Sequence, residues 1–293
     1  MALECIRLGR HCHCFQGPTN LGLIELDDGH VCLIDSGNGK EAGRKIRQQL
    51  EANQWRLQAI YNTHAHPDHV GGNAYLQRQT GCAVYAPGPE AALARHPLLF
   101  PGLLAGGYPP SELRQRELLA EASEADPLTS ETLPDGLTML PLSGHSPAMT
   151  GFAHVDGVVF LADCLSSEAT LAKYGINYLY DVAGYIDTLN RVEALDADVF
   201  VPSHAPVTDD IAPLVRLNLN RVHETADMIV AIAAAPTGFE AILQRLCEQL
   251  GIELNFVQYA LIGSTLRSYL AWLSDAGRIR SELSGNRLVW RRA

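Results

Sequence analysis

Residues 61–73 read YNTHAHPDHVGGN, the stretch that most restricts what this chain can fold into. His64, His66, Asp68 and His69 fall within six positions, directly after the apolar run LQAIY. The β-type residues of that run predict a strand, so the polar cluster lies on the loop at the strand's end. Neutral imidazole is the commonest nitrogen ligand for zinc-like metals, and a metal needs ligands from loops that converge. Alternating positions on such a loop can face two neighbouring metals. The fold must therefore return further ligands to this one edge.

Strand ends elsewhere offer them. TGFAHV and VVFLAD are joined at Asp156-Gly157, a strong two-residue hairpin signal. His145 lies just before the first of these strands and Asp163 at the end of the second, so an antiparallel pairing brings both to one edge. His204 follows the strand ADVFVPS, and the same edge can receive it. Nearer the N-terminus, LGLIEL and VCLID flank DDG as a hairpin, EAGRKIRQQLEA is an amphipathic helix, and GGNAYLQRQT is a helix closed by Gly81 before the strand CAVYA. These alternations place the chain in a mixed α/β (α+β) class.

Two segments differ in character. Residues 87–135 mix Pro and Gly with apolar pieces and read as an insertion: a lid, an oligomer contact such as that of a homodimer, or a surface excursion packed on the core. After a long helix from about Pro213, residues 236–293 read as helix FEAILQRLCEQL, a short polar segment, helix LIGSTLRSYLAWLSDAG and a hairpin, an order that resembles a winged helix. The expected division is thus a catalytic unit over 1–235 and a small C-terminal domain over 236–293.

Charge and cysteine content narrow the setting. The net charge is -11; the last 58 residues carry seven Lys and Arg against five Asp and Glu, or +2, which leaves -13 on the rest. Such a balance opposes general affinity for nucleic acid or anionic membrane, which depends on neutralising phosphates. Seven cysteines without paired spacing suit free thiols in a reducing compartment. The opening MALECIRLGRHCHCF lacks the apolar core of a signal peptide, and no apolar run is long enough to span a bilayer. A cytoplasmic protein is expected.

The set THAHPDH, GHS, LADC and PSH in that order, with VGGN after the first and LIDSG at 33–37 before it, resembles the metallo-β-lactamase superfamily over roughly residues 15–205. The resemblance implies a four-layer αββα sandwich. It implies that His64, His66 and His145 hold one metal, that Asp68, His69 and His204 hold a second, and that Asp163 bridges the two. Asp68 and Asp163 would then be catalytic, Asp68 by orienting the nucleophile. Asp35 in LIDSG would support the site from behind, with plain helix capping as the alternative. Two divalent metals about 3.5–4 Å apart can share a water and make hydroxide available near neutral pH. Zinc is the expected metal, with iron or manganese accepted by the same ligands.

Departures from the family's patterns select among its activities. The zinc-binding cysteine of many antibiotic-hydrolysing members is absent, Asp163 standing in its place, and His66 occupies a position where flavin-dependent di-iron members usually carry glutamate. The remaining resemblance is to small-molecule hydrolases of esters, thioesters and lactones, glyoxalase II among them. Two alternatives stay open. An RNA-processing or RNA-binding protein is one, since the terminal hairpin holds Arg278, Arg280, Arg287, Arg291 and Arg292 against Glu282. The other is a persulfide dioxygenase with a single iron. The motif HCHCF at 11–15 is read as incidental, because neighbouring strand residues point to opposite faces. His154 inside its strand, and the isolated His30, His96 and His223, are read as ordinary polar residues.

Overall fold

In the computed structural model, which describes residues 3–293, seven strands form a first sheet in chain order. They are β1 (Glu4–Arg7), β2 (Cys12–Gln16), β3 (Leu21–Glu25), β4 (His30–Ile34), β5 (Arg56–Tyr61), β6 (Ala83–Ala86) and β7 (Asp126–Pro127). Neighbours from β1 to β4 pair antiparallel, and those from β4 to β7 pair parallel. Parallel neighbours need crossovers. These are supplied by α1 (Gly39–Ala52), then α2 (Pro67–Val70) with α3 (Asn73–Thr80), then α4 (Gly88–Arg95) with α5 (Leu99–Ala105).

A second sheet has the spatial order β11-β10-β9-β8, from β8 (Leu137–Pro141), β9 (Thr150–His154), β10 (Val158–Ser166) and β11 (Val199–His204). The β9–β10 hairpin is antiparallel, whereas β10 and β11 are parallel across α6 (Glu168–Tyr174) and α7 (Val182–Glu193). After α8 (Ala212–Ile232) come β12 (Thr237–Gly238), α9 (Phe239–Leu250), α10 (Phe256–Asp275), β13 (Ile279–Ser284) and β14 (Arg287–Arg292), whose strands form a small sheet ordered β12-β14-β13.

Period-two alternation assigns the layers. In β4, Cys32 and Ile34 face the second sheet, where Phe152, Val158, Phe160 and Val201 meet them; Val31 and Leu33 face outward onto Ile46 and Leu50 of α1. Across β10, Val158 and Phe160 face inward, while Val159 and Leu161 face the α7 and α8 layer. Helices thus cover both outer faces of two packed sheets, the expected αββα sandwich. Gly22 is required in the middle: a Cβ there would lie 2.7 Å from the Phe160 ring. Phe152 is fully buried between the sheets, so Phe152→Ala should cost about 3–5 kcal/mol, read as a lower denaturant midpoint at unchanged slope.

The two unusual segments are built into this frame. Within 87–135, α4 packs Ala91 and Ala94 into the outer core of the first sheet and β7 extends that sheet, while Phe100, Leu104, Leu113 and Leu118 form a separate cluster with Ala260 of α10. The apolar faces of α9 and α10, among them Ile242, Leu246, Leu266 and Leu273, share one cluster with Val222 and Ile229 of α8. The second C-terminal helix starts five residues earlier than its apolar periodicity indicates, at Phe256 rather than Leu261. Asn255 and Gln258 explain this: each side chain accepts from the other's backbone N–H, closing a capping box. No helix among the described residues is long and apolar enough to cross a membrane.

Candidate metal centre

Loops and strand termini deliver most of the polar cluster, but Asp163, expected at the end of its strand, lies inside β10, which continues to Ser166. His64 to His69 follow β5, the last three of them with Val70 forming the single turn α2 after Pro67 at its start. His145 sits in the β8–β9 loop behind Gly144, whose φ of 128° and closeness to the Tyr185 backbone leave no room for a Cβ. Asp163 follows Ala162, which takes a left-handed φ of 51° where the β10–β11 register shifts. That bulge re-aims the next side chain, a common use of such irregularities beside functional sites. His204 is the last residue of β11.

All seven sequence-picked residues meet. Donor atoms of His64, His66, His145 and Asp163 lie within 4.8 Å of one another, and so do those of Asp68, His69, Asp163 and His204. Asp163 belongs to both sets. Its Oδ1 is 3.0 Å from His69 Nε2, and its Oδ2 is 3.1 Å from His204 Nε2, 3.4 Å from His145 Nε2 and 3.9 Å from His64 Nε2. Asp68 Oδ2 lies 3.2 Å from His204 Nε2 and accepts the Thr19 hydroxyl at 3.0 Å.

Hydrogen bonding fixes which ring nitrogen is free. His69 Nδ1 donates to Asp35 Oδ2 at 2.7 Å, His145 Nδ1 to the Tyr178 carbonyl at 2.9 Å, and His204 Nδ1 to the Pro18 carbonyl at 3.0 Å. Thr63 gives its hydroxyl proton to Asp35 at 2.7 Å and so accepts from His64 Nδ1 at 3.0 Å. Each acceptor holds a proton on Nδ1, so Nε2 is the atom that each of the four rings turns inward. The Nε2 atoms of His64 and His145 both lie 2.9 Å from His66 Nδ1. Lone pairs facing one another and two carboxylates repel unless a cation lies between them. His69 Nε2 and Asp163 Oδ1 are indeed buried with no hydrogen-bond partner among the described residues. Imidazole and carboxylate donors are those that divalent transition metals take, so the residues fit the group the family implies.

The field tells the same story. Burial, then the neighbouring imidazoles, hold His64 well below its ordinary pKa; burial and His145 push His66 down to about 3. Both rings are therefore neutral and able to ligate. Burial also works to lower His204, but the Asp163 charge and hydrogen bonds to Asp163 and Asp68 overrule it, to about 11. Burial would raise Asp163, yet His204 and His69 hold it well below the carboxylate range. The Asp68–Asp163 side thus demands positive charge, which a proton or a metal can supply.

Asp35 is buried under this centre with a left-handed φ of 63°. It accepts from His69, from the Thr63 hydroxyl and from the Thr63 N–H at 2.8 Å; the cap of α1 is Asn38 instead. Cys164, beside Asp163, is buried in the outer core and its thiol is pushed up by burial and the Asp163 charge. Sequence reasoning missed Glu90. Fully buried in α4, its Oε2 accepts the Ala65 N–H at 3.0 Å while Oε1 accepts the Ser146 hydroxyl at 2.8 Å and the Ala148 N–H at 3.1 Å. One carboxylate thereby ties the His64–His66 loop to the His145 loop. Glu90→Gln must turn its amide NH2 toward one of those backbone donors. Stability should fall by about 1–3 kcal/mol in urea unfolding, and zinc affinity in a chelator competition roughly 10- to 100-fold.

A third cluster joins Cys12, His154 and Asp156, whose donor atoms also lie within 4.8 Å. The reading of these residues one strand at a time gave no hint of it, because β2 and the β9–β10 turn meet only in the folded sandwich. Here the polar atoms are engaged: Asp156 accepts the His11 N–H at 2.5 Å and lies 3.2 Å from the His11 ring, and His154 Nδ1 accepts the Asp156 N–H at 3.1 Å. The cluster fastens the turn before β2 to the β9–β10 hairpin.

Comparison with known proteins agrees with this architecture. A segment of 74 residues is 43% identical to a hydroxyacylglutathione hydrolase of Erythrobacter litoralis; it covers 25% of this chain and 28% of that protein, so the chain matches only about a quarter of that relative's length. A crystal structure of a β-lactamase domain protein from Burkholderia ambifaria superposes with a TM-score of 0.73 at 18% identity, over 99% of this chain and 94% of the other. One of a metallo-β-lactamase family protein from Thermus thermophilus gives 0.70 at 20% identity, over 94% of each. These two likenesses concern the fold alone. Residues 15–204, which hold the converging histidines and aspartates from end to end, match the metallo-beta-lactamase superfamily, and the chain belongs to that superfamily.

Proposed function

We propose that this protein is a metal-dependent hydrolase of a small-molecule ester, thioester or lactone, and that its centre holds two divalent metals, zinc first among them. The observation that carries this reading is the convergence of four histidine Nε2 atoms on Asp163 with two buried polar atoms left unpartnered among the described residues. His64, His66 and His145 would hold one metal, Asp68, His69 and His204 the other, with Asp163 between them. When bound, such a pair supplies Lewis acidity and activates water near neutral pH.

The chain's own groups do the rest. Asp35, Thr63 and the Tyr178 and Pro18 carbonyls keep the Nδ1 protons in place, so the ligating nitrogens need no reorganisation. Asp68, held by the Thr19 hydroxyl at the edge of the cavity, is placed to orient the attacking water. Phe100 and Tyr178 pack on the His66 ring at 4.5 and 5.4 Å and exclude bulk water from that side.

The RNA reading fares worse. Of the tail arginines, Arg278 is paired with Asp227 at 2.7 Å and Arg291 lies 3.7 Å from Glu282, and among the described residues the cavity wall contains Lys173 but no arginine. Metal-loaded protein should hydrolyse members of a thioester and lactone panel, lose that activity to a chelator, and pass through heparin at low salt without retention. Heparin binding lost on raising salt, together with phosphodiester cleavage, would replace this reading. One iron per chain with oxygen uptake on glutathione persulfide would replace it with the dioxygenase.

A further inference from the structure

The cavity over the metal centre has a volume of about 690 Å³, within the range of drug-sized ligand sites. Its floor is the cluster of His66, Asp68, His145, Asp163 and His204. Its walls come from regions outside the ligand loops: Phe100 and Leu118 from the 87–135 segment, Ile176 from the loop after α6, and Leu261 and Ile262 from α10. Phe100, Leu118, Ile176 and Ile262 are each at most 6% exposed.

The polar residues between them are already spent on the fold. Asn177 donates to the Tyr185 hydroxyl and to Asn218, both at 3.0 Å. Thr265 accepts the Leu179 N–H at 3.2 Å, and Gln258 closes the α10 capping box. The one Lys or Arg of the wall among the described residues, Lys173, is exposed at the mouth with its ammonium 4.7 Å from the Tyr174 ring centroid. An anionic peptide such as a glutathione conjugate finds one positive partner here, on a wall that also contains the carboxylate of Glu117. A hydrocarbon arm finds apolar side chains beside Asn177 and Thr265, whose polar atoms already have partners within the fold.

We infer that the cavity is a subsite for an apolar arm of several carbons attached to the reacting ester or thioester group, with room for a single anionic substituent near Lys173. This rests on the hydrolase reading above and names its substrate class. The 87–135 segment and α10 choose the substrate, and the ligand loops perform the chemistry.

Two measurements on metal-loaded full-length protein test it. In the first, calorimetry follows the binding of straight-chain carboxylates from acetate to decanoate, which requires no turnover. Affinity should rise about fourfold per added methylene until the cavity is filled; affinity that does not change with chain length overturns the subsite. In the second, kcat/KM is compared for two thioester series, one lengthening the acyl chain and one lengthening the alkyl thiol of an acetyl thioester. A rise in either series supports the subsite and shows which side of the carbonyl lies in it; a flat response in both overturns it. Leu261→Glu, on a partly exposed face of α10, should flatten the carboxylate series, and an unchanged slope in the folded variant would count against the assigned wall. Hydrolysis without length dependence removes the subsite and spares the hydrolase reading. Length-dependent carboxylate binding without hydrolysis of any ester or thioester does the reverse.

Discussion

Replacing Asp163 with alanine should leave a folded protein that retains at most one firmly held metal per chain and has lost hydrolysis by roughly 10³-fold or more, because a cation that would face the developing negative charge goes with the carboxylate. Asp163 is the residue common to both donor sets, and its carboxylate approaches His64, His69, His145 and His204. Without it, His64, His66 and His145 still make a three-histidine set that can hold a metal. Asp68, His69 and His204 lose the charge that offsets a second cation. Elemental analysis of the purified variant, beside its circular dichroism, checks this. Two metals retained, or activity surviving, would show that Asp163 does not join the two sets.

Asp35→Asn should have an effect as large by a different route. An amide in place of this carboxylate must set NH2 against one set of donors. The Thr63 backbone N–H cannot change its role, whereas the Thr63 hydroxyl can accept instead of donate and the His69 ring can move its proton. The amide nitrogen therefore settles at the Oδ2 position, His69 Nδ1 becomes an acceptor, and Nε2 carries the proton. That proton sits on the nitrogen 3.0 Å from Asp163 Oδ1 and takes the place of the lone pair there. Stability should change little while a lone pair needed for ligation disappears. Activity should fall on the order of 10⁴-fold, the scale of a tautomer inversion in a catalytic triad, and imidazole nitrogen NMR should show the His69 proton moved. A variant with normal metal content and activity would refute the supporting role of Asp35.

What the sequence made legible was local. THAHPDH puts four donors on one loop, and the Asp156-Gly157 turn dictates that His145 and Asp163 return together, so the centre could be assembled from short spans and one hairpin. The four layers came from the resemblance, because β4 and β10 are apolar on both faces and their sequences show no alternation to assign them. What escaped depends on contacts between distant segments or on residues that carry no signal. Glu90 reaches Ala65 and Ser146 across 25 and 56 positions. Ala162 takes a left-handed conformation that its side chain does not announce. The meeting of Cys12 with Asp156 needs both sheets in place. The start of α10 was readable in principle, since Asn255 and Gln258 have the spacing of a capping box, but apolar periodicity drew attention to Leu261.

The most direct test of the central claim is a metal titration. Protein stripped by a chelator would receive zinc in increments while hydrolysis of a thioester that the loaded enzyme accepts is followed. Activity should be absent at the start and should rise to a plateau that breaks at about two equivalents per chain. Full activity in the stripped protein, or a plateau already reached at one equivalent, would contradict a two-metal centre bridged by Asp163.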